Sequence, residues 1–530
     1  MLKVEPGWHT ELHWGGQLPV RCCPIRVRWP LYTGNTVSVP LSLRFLLACC
    51  GFAAGFPAAA QTLEVPLYLS RPVQPQLEAG AYHCEPPQQP AVRAAWEALR
   101  AYGETDFSCG NAFVDYLETS SPLPGAGPDA FAKANRQILA ARAEVLLTNM
   151  DFYPEAGAPT WALLDTLAEL YRRVQAGGRA AYPQGMNVRL HLGGYPLPQR
   201  PPRWIAAELA EGLLARGVPL QDAALGWDLR LAHYRLTPYS HIKMQVVDGR
   251  EVTAAGYGYG RNWLPASAAV PQGGGVSDLG LTLRGPVAQN AAAAFADLWS
   301  LSDELSCPPE VQPGGVRERC RWRPAGPLTR SALARGVVPA GDSAALLLYR
   351  RSGYLQADAA QLALLGAARR EIDLLHTSLS TQLNCVALQP WADICRGMPL
   401  PPYFTALLDA MERGVRVRVL TMGGKAEGLQ NRTGVLILRR AAQERGLEHL
   451  LDVRATTYSM HSKTLLVDGE AALTGSINLH FSSWGHAGLA EAALLTDDPA
   501  AAAWLQQRFD SDWQKRSRPF DSNLTAADLK

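Results

Sequence analysis

His461-Ser-Lys463-Thr-Leu-Leu-Val-Asp468-Gly469, continued by Glu470-Ala-Ala-Leu-Thr-Gly475-Ser476-Ile-Asn478, reads as a strand, a turn and a second strand ending in a turn of small residues. Residues two apart on a strand project from the same face, so His461 and Lys463 point into one space. The imidazole can attack or carry a proton; the ammonium is a fixed positive charge. Leu-Leu-Val suits a buried strand, and Asp468-Gly469 is a turn signal that ends it. The small residues and polar tips of Gly475-Ser-Ile-Asn478 allow close approach of an anion. The stretch occurs twice: His241-Ile-Lys243-Met-Gln-Val-Val-Asp248-Gly249 repeats the spacing 220 residues earlier.

The chain around these stretches has 530 residues, room for two domains of about 200 residues each. It is 47% hydrophobic and 18% charged with a net charge of +2, a soluble-enzyme composition that argues neither for nor against a polyanionic partner. Any anion site must be local. Beyond the N-terminal region no apolar run is long enough to span a bilayer.

Residues 1–60 read as an N-terminal extension plus a signal peptide. Arg44 precedes the apolar run Phe45 to Phe56, and Pro57-Ala-Ala-Ala60 offers a small-residue cleavage site before Gln61. The pattern begins near residue 37, so translation is expected to start near Val37 or Val39. The mature chain is expected to be secreted or periplasmic. Six cysteines would remain in it, in sequence-local pairs: Cys84 with Cys109, Cys307 with Cys320, Cys385 with Cys395. Such short loops suit disulfides closed in an oxidising compartment, although six cysteines allow fifteen pairings. No Cys-x-x-Cys spacing occurs to suggest zinc.

In order, the first half shows an opening strand from Thr62, a helix at 91–101, a helix through Asn135, and strands at 144–150 and 187–192 flanking a helix at 161–174. Strand, helix, strand is the rhythm of a parallel or mixed sheet with helices outside. The first His-x-Lys strand follows, and a helix from Ala288 to Ser300 closes the half. The second half repeats this with a helix at 361–370, strands at 371–377 and 415–420 around a helix at 403–414, the second motif, and a closing helix to Trp513. The expected fold is α/β: two pseudo-twofold-related α/β/α sandwich halves, each a mixed β-sheet flanked by helices. The expected boundaries are 61–305 for the N-terminal half, 306–342 for a Pro/Gly/Arg-rich linker, 343–518 for the C-terminal half and 519–530 for a tail.

Two halves packed about a pseudo-twofold axis bring His241 and His461 together with Lys243 and Lys463. Such a pocket suits a phosphodiester: the lysines hold the non-bridging oxygens, one histidine attacks phosphorus and the other protonates the leaving oxygen. Neither metal nor organic cofactor is required by this chemistry, and none is expected. Beside two lysines, each imidazole needs a carboxylate to orient it and set its tautomer.

His-x-Lys-x4-Asp, present twice, resembles the motif of the phospholipase D superfamily, and the likeness covers most of residues 135–515. The resemblance implies one active site between two α/β/α halves and a covalent phosphohistidine, with His241 the nucleophile and His461 the general acid. It further implies phosphate binding by Lys243, Lys463 and Asn478, helped by Ser476, and orienting acids at Glu491 and Asp278. Asp248 and Asp468 are expected to organise the turn. The first copy departs beyond Gly249, where Gly256-Tyr-Gly-Tyr-Gly-Arg-Asn262 replaces Gly475-Ser-Ile-Asn478; Asn262 is the substrate-binding candidate there, with Arg261 as its substitute.

Within the superfamily, export and disulfides suit a secreted or periplasmic phospholipase, monomeric and in contact with a membrane surface. The Pro-rich stretches Gly193–Trp204 and Met398–Phe404 are candidates for a lipid-facing rim. A nuclease is the alternative, disfavoured by the modest net charge. A cardiolipin synthase-like phosphatidyltransferase is the other, and lacks here the expected hydrophobic hairpin.

Overall fold

Buried strands with near-continuous apolar runs build two large sheets, one in each half. The computed structural model describes residues 36–42, 60–66, 82–103, 105–120, 130–195, 201–268, 270–381, 399–423 and 425–521. At the N-terminus β1 (Thr36–Ser42) pairs antiparallel with β2 (Ala60–Pro66); the expected apolar run and cleavage site up to Ala59 lie outside the described residues.

The first half then runs α1 (Pro90–Arg100), β3 (Ala112–Glu118), α2 (Ala130–Leu139), β4 (Glu144–Asn149), α3 (Pro159–Ala181), β5 (Met186–Leu192), α4 (Pro202–Leu214), β6 (Gln221–Asp222), β7 (Trp227–Tyr234), β8 (Met244–Val247), β9 (Glu251–Ala255), β10 (Leu279–Arg284), α5 (Val287–Ser300), β11 (Ser302–Ser306), α6 (Val316–Arg319) and β12 (Arg321–Pro324). The second runs β13 (Ala345–Arg350), α7 (Gln356–Gly366), β14 (Glu371–His376), α8 (Pro402–Glu412), β15 (Arg416–Met422), α9 (Lys425–Glu444), β16 (Leu451–Thr456), β17 (Lys463–Val467), β18 (Ala471–Gly475), β19 (Glu491–Thr496), α10 (Pro499–Lys515) and β20 (Ser517–Pro519).

The duplication is exact at the level of strand order up to the outermost edge. The first sheet reads β3-β10-β9-β8-β4-β5-β7-β11-β12 and the second β13-β19-β18-β17-β14-β15-β16-β20. In each, three central strands are parallel, and the motif strand (β8 or β17) lies antiparallel beside them. Both faces of these strands are covered, which is why they read as apolar runs rather than alternating ones. Helices α2, α3 and α4 cover the outer face of the first sheet and α7, α8 and α9 that of the second. The inner faces, with α5 and α10, form one shared core that includes Ala254, Leu281, Phe295, Ala492, Leu494 and Phe509. The fold is thus the mixed α/β, two-sheet architecture expected.

Several boundaries differ from the sequence reading. Helix α1 packs against the second half: Ala91, Val92, Ala95 and Leu99 join Ala357, Ala360 and Leu364 in that half's outer core. Residues 306–342 are no bare connector. Strand β12 extends the first sheet, Cys307 is bonded to Cys320, and Val311 and Val316 enter the first half's outer core. Buried Arg330 anchors the rest, donating to Glu144 (Nε to Oε1, 3.0 Å) and to Gln289 Oε1. The Cys84–Cys109 bridge also forms, whereas Cys385 and Cys395 lie outside the described residues.

Two helices escaped the reading. Helix α4 begins inside the Pro-rich stretch, because proline at the first helical position costs no hydrogen bond. Helix α9 contains Gly434, at which a Cβ would collide with the Leu379 carbonyl. Of the candidate lipid-facing rim, Tyr403 and Phe404 are core residues of α8, and residues 196–200 and 398 lie outside the described residues. Trp204 is 54% exposed, with the Arg317 guanidinium 5.7 Å over its ring.

The Glu144–Arg330 pair is fully desolvated, each side chain 1% exposed. Arg330→Ala leaves a buried carboxylate unpaired and is expected to cost about 3–5 kcal/mol of stability in denaturant unfolding.

Candidate active site

The backbone at the two motifs is paired across the two halves before any side chain is considered. The His241 amide donates to Ala490 O at 2.8 Å, and the His461 amide donates to Ser277 O at 2.8 Å. Ser240 and Ala490 form a parallel bridge, as do Ser277 and Met460. Each motif therefore enters its sheet alongside the segment that leads into the other half's penultimate strand. That segment ends in an acid: Glu491 opens β19, and Asp278 immediately precedes β10.

The consequence is a crossed arrangement. Nδ1 of His241 lies 2.9 Å from Oε2 of Glu491, and Nδ1 of His461 lies 2.7 Å from Oδ2 of Asp278. Each acid sits in the sequence slot of its own half but contacts the histidine of the other. Both carboxylates are fully buried. A carboxylate on Nδ1 favours the tautomer with its proton there, leaving the Nε2 lone pair for chemistry. The histidines lie at the mouth of the strand rather than within it, since β8 starts at Met244 and β17 at Lys463. Both lysines reach back to the carbonyl of their own histidine: Nζ of Lys243 donates to His241 O at 2.7 Å and Nζ of Lys463 to His461 O at 2.6 Å, and Nζ of Lys463 lies in addition 2.8 Å from Nδ1 and 3.3 Å from Nε2 of the His461 ring.

Burial sets the charge states. Desolvation pushes the His241 pKa down, and the Lys243 and Lys463 charges push it further, outweighing Glu491. Desolvation and the neighbouring Lys463 bring Lys243 down to about 7, against the pull of Glu491, Asp151 and Asp278. Burial alone would raise Glu491, but His241 and Lys243 outweigh it and hold the carboxyl below its usual range. Ser483, which the sequence reading missed, donates its hydroxyl to Glu491 Oε1 at 2.6 Å.

Asp248 and Asp468 act on the scaffold. Both have positive φ (52° and 58°), a conformation Asp tolerates better than most residues. Asp248 accepts from the amides of Arg142, Ala143 and Glu144, and Asp468 from those of Arg369, Arg370 and Glu371. Each thereby ties the motif turn to the start of the adjacent central strand, β4 or β14.

The turns beyond the motifs differ between the copies. Ser476, expected on the phosphate, is fully buried, and its hydroxyl bonds both the amide and the carbonyl of Ala492 in β19. Asn478 is half-buried, and its Oδ1 is buried without a hydrogen-bond partner among the described residues, so this end of the carboxamide is open to a ligand. His376, also missed, braces this turn: its Nε2 lies 3.2 Å from Ile477 O, and desolvation drives its pKa to about 3. In the first copy Tyr257 and Tyr259 are buried against Phe131. At Gly256 a Cβ would collide with the Asp278 carboxylate, which explains the glycine. Asn262 is exposed on a single 3-10 turn, Arg261 pairs with Glu155 at 3.3 Å, and the ring of Trp263 meets that of His461 edge-on at 4.9 Å. Trp263 carried no signal in the motif spacing.

Two oriented imidazoles, two ammonium groups and a free carboxamide define a site for nucleophilic and acid–base chemistry on a phosphodiester. A family model described as "Cardiolipin synthase, PLD-like domain" matches residues 363–513. The fold is similar to that of phosphatidylserine synthase from Haemophilus influenzae Rd KW20, with a TM-score of 0.52 and 12% identity over 81% of this chain and 92% of that one. Nuc, a phospholipase D family member from Salmonella typhimurium, matches 34% of this chain and 99% of its own at 18% identity and a TM-score of 0.26. No curated protein matches the chain in sequence. Residues 363–513 thus match a phospholipase D-like domain, and the motif and strand order of that half are repeated in the first.

The crossing yields a test. Glu491→Gln removes the charge that raises the His241 pKa, so that pKa should fall further in an NMR titration of the histidine ring protons. Asp278→Asn should leave His241 nearly unmoved and perturb the His461 resonance instead.

Proposed function

We propose that the protein is an exported phospholipase D-type phosphodiesterase that cleaves or transfers a phosphatidyl group through a phosphohistidine. The observation that carries this reading is the pair of crossed histidine–carboxylate contacts with both motif lysines beside them. In the first step Nε2 of His241, unprotonated because its pKa is depressed, attacks phosphorus. The bond to the leaving oxygen breaks, and that oxygen takes a proton from Nε2 of His461. In the second, water or an alcohol gives its proton to His461 and attacks phosphorus, the phosphorus–nitrogen bond breaks, and His241 is restored. Lys243, Lys463 and Asn478 neutralise the non-bridging oxygens throughout. Lipid is favoured over nucleic acid by the modest net charge of +2 and by the lipid enzyme for which the matching family model is described. Two disulfides within the described residues support residence in an oxidising compartment after cleavage near Ala60.

The purified protein, incubated with mixed phospholipid vesicles and separately with single-stranded DNA, is expected to release phosphatidate and free head group and to leave the DNA intact. His461→Ala should lower the rate by about 10²–10⁴-fold, the usual worth of a general acid. A phosphohistidine should be trapped in His461→Ala and not in His241→Ala. DNA cleavage with inert lipid would overturn the proposal.

The charge states also fix a pH profile. kcat/KM should rise with pH as His241 loses its proton, at a pH below the ordinary histidine value. It should fall again near pH 7 as Lys243 loses its charge. In Lys243→Arg, whose guanidinium stays charged, the falling limb should move to higher pH.

A further inference from the structure

One buried carboxylate near the motif lysines has no role in the chemistry above. Asp151 follows β4 and is 3% exposed. Its Oδ2 accepts from the Tyr153 hydroxyl at 2.9 Å, while Oδ1 accepts no hydrogen bond from any described residue. No cation lies within ion-pair distance of it among the described residues; the Lys243 charge acts on it from further away. A desolvated carboxylate with one open oxygen is costly to keep unless something else compensates it.

Its surroundings suggest what does. Tyr239, two residues before His241, lies within electrostatic reach of Asp151, Glu491 and Tyr195. Its ring meets that of Tyr195 edge-on at 4.9 Å, and its carbonyl accepts the Ala490 amide, next to the Glu491 that holds His241. Tyr153 interacts with both Asp151 and Tyr195. All three tyrosines are partly exposed. A carboxylate with three tyrosines around it, opening beside a phosphate site, is the chemistry that holds an ammonium group, by charge and by the negative faces of the rings.

We infer that Asp151, Tyr153, Tyr195 and Tyr239 form a subsite for an ammonium-bearing head group joined to the reacting phosphate, of the ethanolamine type. This deepens the phosphodiesterase reading and rests on it for the identity of the phosphate site. The asymmetry between the halves agrees: two residues beyond the end strand position, where the first half has Asp151 after Asn149, the second has Ser378 after His376, and Ser380 is fully buried with its amide on Leu479 O.

The test is a binding measurement on the full protein by calorimetry, with O-phosphoethanolamine against glycerol 1-phosphate. Two lysines alone favour glycerol phosphate, which carries one more net negative charge. The subsite should reverse this and bind phosphoethanolamine at least tenfold more tightly. Asp151→Asn should bring the ratio close to one chiefly by weakening phosphoethanolamine; Tyr239→Phe, as an independent variant, should keep the preference because the ring remains. Equal or weaker binding of phosphoethanolamine by the unaltered protein overturns the subsite, as does equal weakening of both ligands in a folded Asp151→Asn, which marks a merely structural carboxylate. Hydrolysis of bis(p-nitrophenyl) phosphate, which has no head group, reads the catalytic centre separately. Its presence without ammonium preference sinks the subsite alone, and its absence sinks the phosphodiesterase reading.

Discussion

Two buried carboxylates reach across the pseudo-twofold axis, each to the histidine of the other half, and the site exists only where they cross. Neither Glu491 nor Asp278 is exposed at all, so neither can be left without a partner at acceptable cost. The partner is on the other half in both cases. Packing of the two inner sheet faces and satisfaction of the two charges are therefore one condition. A shift between halves that opened the shared core would strand both acids and disorient both imidazoles together.

The same geometry keeps the site close to electroneutral. Two ammonium groups face two carboxylates, with the His241 imidazole held neutral by burial and by the lysines. That is a local arrangement, and it is why a whole-chain charge of +2 says so little about what the protein binds.

Much of this was legible in the residues. The His-x-Lys spacing and its repeat placed two cations and two imidazoles in one space, and the apolar runs at 144–149 and 371–376 gave the central strands. The crossing was not legible, because sequence assigns an acid to its own half and only the Ser240–Ala490 and Ser277–Met460 bridges exchange them. Ser476 looked like a phosphate ligand because small polar turns are suited to anions, yet strand pairing with β19 puts its hydroxyl on Ala492. The 306–342 segment looked like a linker because its composition is Pro-, Gly- and Arg-rich. What folds it down is a single arginine finding a carboxylate that begins β4, a contact with no local signature. Helix α9 was hidden by its own polarity and by Gly434, whose value lies in admitting the Leu379 backbone.

The two copies also show where duplication stops constraining the chain. At the ends of β4 and β14 stand Asn149 and His376, and both brace the turn beyond their motif, Asn149 through Tyr257 O and His376 through Ile477 O. Different side chains thus do the same structural work at corresponding positions. One or two residues later the loops diverge. In the second half Leu379 and Ser380 are fastened to Asn431 of α9 and to Leu479, which closes that side with protein contacts. In the first half the same region presents a carboxylate with an open oxygen among partly exposed tyrosines. A symmetric pocket cannot distinguish the two arms of a phosphodiester, which in a phospholipid differ entirely in size and polarity. The shared scaffold supplies the symmetric part, which is the two histidine–carboxylate pairs and the two lysines, and the diverged loops break that symmetry on one side of the site.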